Sequence, residues 1–200
     1  MEITMEMIKH LKDRTMLGIM DCKKALAEND GDEEKAIDYL RKQGILKAAK
    51  KSSRDANEGL VHAYIHTGSK LGVLVEVNCE TDFVAKTPDF MNMTHQIAVH
   101  IAAAEVEPQY VNAEDVPTEL LEREKAVYID QMKEAKKPQN VIDKIVENKL
   151  KKYCDDICLM NQEFFGSDDK KTVGEFIKEN IAKFGENIKI SRFVVFKIGD

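Results

Sequence analysis

No run of apolar residues in this 200-residue chain is longer than a few positions. A membrane-spanning helix needs about 20, so a helical span is excluded. Cys22, Cys79, Cys154 and Cys158 are scattered, with no CxxC pair, which argues against a structural zinc site or a thioredoxin-like centre. They read as reduced and mostly buried. Cys154 and Cys158 share a face of a predicted helix, but the further ligands that a metal needs are not placed by the sequence, and core packing is the reading. Positive charge is not in excess: 30 Lys and Arg stand against 36 Asp and Glu, interleaved, for a net charge of −6. Nothing therefore steers the whole molecule toward nucleic acid or an anionic membrane. Glu2 and Glu6 stand where a targeting peptide would carry a basic region and then an apolar one, so a cytoplasmic protein is expected.

Familiar catalytic patterns are missing too. No GxxxxGK[ST] occurs, and Gly68-Ser69-Lys70 lacks both the upstream glycine and the strand-to-helix setting of a phosphate cradle. His62 and His66 share one face of a predicted strand and, without an HExxH helix or a carboxylate cluster, read as surface imidazoles. His95 and His100, five apart, fall on different faces of a helix. With no nucleophile elbow, Cys/His signature or paired-carboxylate motif, the expectation is a protein that is not an enzyme, with no catalytic or metal-ligating residues and no cofactor.

What is present is a foldable chain, 43% apolar and 33% charged. These proportions exclude a disordered or low-complexity protein. The length suits one core plus a small appended module. Residues 1–55 carry only helical periodicity: Met7, Ile8 and Leu11, then Ile19, Cys22, Ala25 and Leu26, then Ala36, Ile37 and Leu40. Thr15-Met16-Leu17-Gly18 interrupts the first two stripes. Asn29-Asp30-Gly31-Asp32 supplies a turn, with Gly31 admitting positive φ and Asp32 capping the third helix, which Gly44 is expected to end. The basic stretch Lys47 to Arg54 reads as a linker or exposed helix. It lacks the interleaved aromatics of a nucleic-acid site, and an RNA- or ribosome-binding adaptor stands as the alternative function.

From residue 56 to 200 an α+β core is expected. Beyond Gly59 the apolar period becomes 2, and Leu60 to His66 and Leu71 to Cys79 flank Thr67-Gly68-Ser69-Lys70 as an antiparallel hairpin, with Val73, Val75, Val77 and Cys79 on one face. Pro88 opens a helix striped by Phe90, Met93, Ile97 and Ile101. Thr118 to Glu134 and Gln139 to Cys154 form a charge-rich antiparallel pair, separated by Lys136-Lys137-Pro138. Thr172-Val173-Gly174-Glu175 is a capping box that starts a helix ending near Gly185. Ile188 to Ile198, almost continuously apolar, reads as a buried strand joining the hairpin.

One segment is odd. Glu80-Thr81-Asp82-Phe83-Val84-Ala85-Lys86 joins the hairpin to the Pro88 helix, where polar turn residues are ordinary, yet it holds Phe83 and Val84. Either the strand continues and Phe83 shares the inner face of Val77 and Cys79, as periodicity favours, or an anion and an aromatic ring are presented together to another protein.

Leu11-Lys12-Asp13-Arg14-Thr15, Gly18 to Leu26, Gly31-Asp32 and Ala36-Ile37 with Tyr39-Leu40-Arg41 resemble the amino-terminal signature of the elongation factor Ts family. Thr81-Asp82-Phe83-Val84 resembles its most characteristic internal motif, and Lys171 to Gly174, Arg192-Phe193 and Phe196 to Gly199 resemble its carboxy-terminal end. The resemblance implies guanine nucleotide exchange on elongation factor Tu, the GTPase that carries aminoacyl-tRNA to the ribosome. It implies an amino-terminal ubiquitin-associated-type (UBA-like) bundle that docks on the GTPase, and a loop of Thr81, Asp82, Phe83 and Val84 that disturbs the GTPase's magnesium. The stretch between Ala104 and Cys154 has no room for the second module and protruding coiled coil of longer members, and likeness to the short members implies a homodimer.

Overall fold

The computed structural model describes residues 3–15, 17–132, 138–167 and 170–199, with the side chains of 45–49 also outside the description. The three amino-terminal stripes form α1 (Met5–Thr15), α2 (Ile19–Glu28) and α3 (Glu33–Lys51). They bury Ile8, Leu11, Cys22, Ala25, Leu26, Ala36 and Leu40 against one another, in keeping with the UBA-like bundle expected. Gly31 takes a φ of 80° and donates its N–H to Leu26 O at 2.8 Å. The Asp32 carboxylate accepts from Lys35 N at 3.0 Å and caps α3. Met16 and the side chains of Lys47, Ala48 and Ala49 lie outside the described residues.

Gly44 does not end the third helix, which runs on to Lys51. A Cβ built at Gly44 would stand 3.3 Å from Ala182 Cβ, so the missing side chain serves a close approach to a later helix, not a cap. That later helix, α8, is numbered after the hairpin strands β1 (Glu58–Ile65) and β2 (Leu71–Cys79) and the helices α4 (Asp82–Ala85), α5 (Pro88–Ala103), α6 (Thr118–Met132) and α7 (Gln139–Ile157). It spans Val173–Phe184, and Gly185 at φ 78° ends it as expected.

The strand β3 (Lys189–Lys197) completes a three-stranded antiparallel sheet in the order β1-β2-β3. It joins the hairpin as expected but is not buried. Of its nine residues only Ile190 is buried, while Val194 and Phe196 are exposed. β3 is an edge strand, and its apolar run faces outward as well as inward.

By compactness the chain divides into two discontinuous units. One comprises Met1–Leu60, Val77–Met91 and Glu175–Lys189. Within it the buried Phe90 meets Phe184 edge to face at 5.8 Å, and Lys183 pairs with Asp89 at 2.8 Å. The other comprises Val61–Glu76, Asn92–Gly174 and Ile190–Asp200. There Val73, Val75, Met93, Ile97 and Ile101 are buried as the periodicity requires. α6 and α7 are antiparallel: Val116, Leu120 and Leu121 pack with Tyr153 and Ile157 at one end, and Lys149 donates to Gln131 at 3.1 Å toward the other. Glu134, Lys136 and Lys137 lie outside the described residues. Cys22, Cys79 and Cys158 are buried free thiols and Cys154 is half-buried; burial pushes the Cys158 thiol up to about 11, consistent with core packing. No helix among the described residues is long and apolar enough to cross a membrane.

His100, only 2% exposed, is the polar knot of the second unit. Its Nδ1 accepts from Phe165 N at 3.0 Å, which leaves Nε2 to donate to Gln162 Oε1 at 3.1 Å, and its ring stacks on Phe164. Both nitrogens are committed to the neutral imidazole, and burial holds the group below the ordinary histidine range. An unfolded histidine takes up a proton below about pH 6.5. Folded His100 does not until lower pH, so the unfolded state binds more protons in that window and stability is lost as the pH is lowered through it. Replacing His100 by Gln should flatten the decline in thermal midpoint between about pH 7 and pH 5, measured by calorimetry. An unchanged slope would contradict the assignment.

Candidate functional site

β2 ends at Cys79, and the chain turns directly into the single helical turn of α4. Thr81 is its N-cap: backbone extended (φ −130°, ψ 150°), hydroxyl accepting from Val84 N at 3.4 Å. A β-branched hydroxyl residue followed by Asp is suited to this place, since the hydroxyl satisfies a free amide and the carboxylate lies at the positive end of the turn. The turn reverses the strand's alternation. Phe83, which periodicity would put beside Val77 and Cys79, is 81% exposed instead. Val84 is half-buried and Ala85 is buried, so one side of the turn is rooted while Phe83 projects from the other.

The rooting is dense. The Glu186 carboxylate, just beyond α8, accepts from Glu80 N at 3.1 Å, from Thr81 N at 3.0 Å and from Thr81 Oγ1 at 2.7 Å. In return the Glu80 carboxylate accepts from Asn187 N at 2.6 Å and faces the Arg54 guanidinium at 3.4 Å. The Asn187 side chain donates to Arg54 O at 2.7 Å. Cys79 donates its thiol hydrogen to Thr81 O at 3.1 Å, and burial raises that thiol out of the reactive range. On the far side the Thr87 hydroxyl donates to Val84 O at 2.8 Å and accepts from Phe90 N at 3.2 Å, fastening α4 to the start of α5.

Asp82 pairs with Lys86 at 2.6 Å, and the bond from that ammonium holds the carboxyl below the usual carboxylate range. Thr81 is thus committed to the scaffold, while Asp82 and Phe83 stand side by side at the tip. Among the described residues no group of three or more His, Cys, Asp or Glu could hold a metal ion. His62 is half-buried, with Nε2 at 3.1 Å from His95 Nδ1; His66 is exposed. The amino-terminal bundle, in the same unit as the tip, exposes Met5, Ile19 and Met20.

The family model described as Elongation factor TS matches residues 34–200, most of the chain. Elongation factor Ts of Thermosipho melanesiensis is 52% identical over 198 residues, spanning 99% of this chain and 100% of that protein. The chain belongs to the elongation factor Ts family. Elongation factor Ts of Fervidobacterium nodosum is 50% identical over 200 residues and that of Geobacter sulfurreducens 52% over 200, covering 100% and 91% of those proteins.

For an elongation factor Ts chain, the motif residues Thr81 to Val84 fall together on one braced turn. Sequence reasoning missed Arg54, Glu186 and Asn187, which hold that turn. Glu186 and Thr81 are 105 positions apart, and a lone carboxylate after a helix-ending glycine carries no local sign of what it will bind.

An exposed ring contributes little to its own fold. Phe83→Ala should move the thermal midpoint by no more than about 2 °C. A fall of about 8 °C or more would place the ring in the core.

Proposed function

We propose that this chain binds GDP-loaded elongation factor Tu and promotes release of GDP, so that GTP can reload. The supporting observation is Phe83, a large ring held out in water on a turn whose base is fixed by hydrogen bonds. A soluble protein gains nothing from that arrangement by itself, whereas burial of the ring in a partner contributes about 1.5 to 3 kcal/mol.

No covalent chemistry is required, and the chain acts by protein binding and not as an enzyme. A factor that prefers the nucleotide-free GTPase weakens GDP by the same ratio by which GDP weakens the factor. Magnesium bridges the phosphates to the GTPase and demands a near-ideal octahedral shell, so a small displacement of the elements around it loosens ion and nucleotide together. Phe83 is the wedge, and Asp82 acts beside it on the structure around the ion. Thr81 and Val84 shape and root the turn. Residues 1–55 serve as the docking module, through the exposed Met5, Ile19 and Met20, and residues 56–200 serve as the core. The proposed setting is the cytoplasm, without nucleic acid or membrane as direct partner. In the basic stretch Lys51 donates to Gly185 O and Arg54 faces Glu80, so these two cations are engaged by the chain itself.

We further propose that the chain forms a homodimer through the outer face of its sheet. Val61, Ile65, Leu74, Val194 and Phe196 are exposed there, around a groove of about 290 Å³ with the Glu76–Arg192 pair, at 2.7 Å, on its wall. Phe196 is 66% exposed. An apolar face with a neutralised charge pair suits contact with its own two-fold copy.

In a fluorescent GDP release assay, saturating chain should accelerate release from elongation factor Tu. Phe83→Ala should slow the stimulated rate by about one to two decades. No stimulation by the parent chain would overturn the reading. Sedimentation equilibrium should return twice the 22.7 kDa chain mass. Phe196→Asp should return the monomer; a monomeric parent would refute the dimer.

A further inference from the structure

We propose that Glu186 is a positioning residue for nucleotide exchange: its carboxylate fixes the angle at which the α4 turn presents Phe83. The proposal rests on the reading of Phe83 as the element that acts on the GTPase.

Three donors converge on the one carboxylate. Oε2 takes the amides of Glu80 and Thr81, and Oε1 takes the Thr81 hydroxyl. Hydrogen bonds to an ionised acceptor are about twice as strong as neutral ones, and these occupy both oxygens. They fall on the two residues between the last residue of β2 and the first of α4, where the chain changes from extended to helical. Loss of the carboxylate frees the N-cap residue, and with it the direction of the turn. The turn is a single one, with no helix length of its own to maintain it.

The reciprocal bond from Asn187 N to the Glu80 carboxylate makes the latch two-sided. Two segments far apart in the chain each place a carboxylate on the other's backbone, so neither can shift without breaking charge-assisted bonds. Phe83 touches the partner, whereas Glu186 acts only through Thr81 and Glu80. A wedge must arrive already aimed, because ordering it on contact would consume part of the binding energy available for displacement.

The test compares stimulated GDP release from elongation factor Tu for the parent chain, Phe83→Ala, Glu186→Gln and the double variant, each titrated to saturation. Glutamine keeps the length but replaces the anion by a neutral amide, in which one of the two acceptor oxygens becomes an NH2 donor. Glu186→Gln should lower the saturating rate by about tenfold and shift the half-saturating concentration by less than about threefold, because the docking bundle is untouched. Amide exchange at Glu80, Thr81 and Val84 should quicken while the amides of α1 to α3 stay protected. The double variant should be no slower than Phe83→Ala within about twofold, since removal of the ring leaves nothing to aim.

If Phe83→Ala slows release and Glu186→Gln does not, the positioning role is overturned and the proposed function stands. Multiplying effects in the double variant overturn it as well, because Glu186 would then act elsewhere than through the ring. If Phe83→Ala has no effect, the reading of the tip and the inference built on it both fail. Should Glu186→Gln not fold, Glu186→Asp withdraws the carboxylate by one methylene while leaving the Thr81 cap on Val84 N in place, and the same outcomes apply to it.

Discussion

Two glutamates, each accepting from the backbone of the other's segment, hold the site. Glu186 takes the amides of residues 80 and 81, Glu80 takes the amide of residue 187, and the single turn of α4 stands on that exchange. The constraint is topological as well as energetic. A hairpin strand that simply continued would have turned Phe83 inward. The bonds at Thr81 stop the strand at Cys79 and start a helical turn, which sends the ring into solvent. Around this junction the supporting groups are rigid and chemically quiet: a buried Cys79 thiol raised away from reactivity, an N-cap hydroxyl, and the Thr87 hydroxyl joining one helix to the next.

Rigid support and an exposed tip belong together if the tip works by displacement. One ring contributes about one or two decades of affinity change, so the wedge needs a broad, separately anchored interface to be effective. The exposed apolar side chains of the amino-terminal bundle are suited to that task, and they belong to the same compact unit as the tip. Next to the ring the Asp82 carboxylate is paired with the Lys86 ammonium, which holds its carboxyl below the usual carboxylate range, so the tip sets an ion pair beside an aromatic ring.

Much of the fold was legible because helix and strand periods are local. The three amino-terminal stripes, the hairpin, the Pro88 helix and the antiparallel α6–α7 pair could each be read from residues within one segment. The failures share a cause in partners that are distant in sequence. Gly44 carries the sign of a helix end, yet Ala182, from a helix far along the chain, decides that it is a close-approach position. The apolar run of β3 reads the same for a buried strand and for an edge strand with an uncovered face. At the site, periodicity pointed Phe83 inward, and the contrary local sign was the Thr81-Asp82 pair, a fitting start for a helical turn. The identity of the motif residues came from family resemblance. Glu186 and Asn187 had no local sign at all, since their role exists only once the chain has brought positions 80 and 186 together.

Negative linkage on the GTPase is the central claim, and an equilibrium titration addresses it most directly. The affinity of the chain for nucleotide-free elongation factor Tu would be compared with its affinity for the magnesium- and GDP-loaded form, using parent and Phe83→Ala chains. Thermodynamic reciprocity predicts much tighter binding to the nucleotide-free form, with the ratio contracting when the ring is removed. Equal affinities for the two forms, or a ratio indifferent to Phe83, would contradict it.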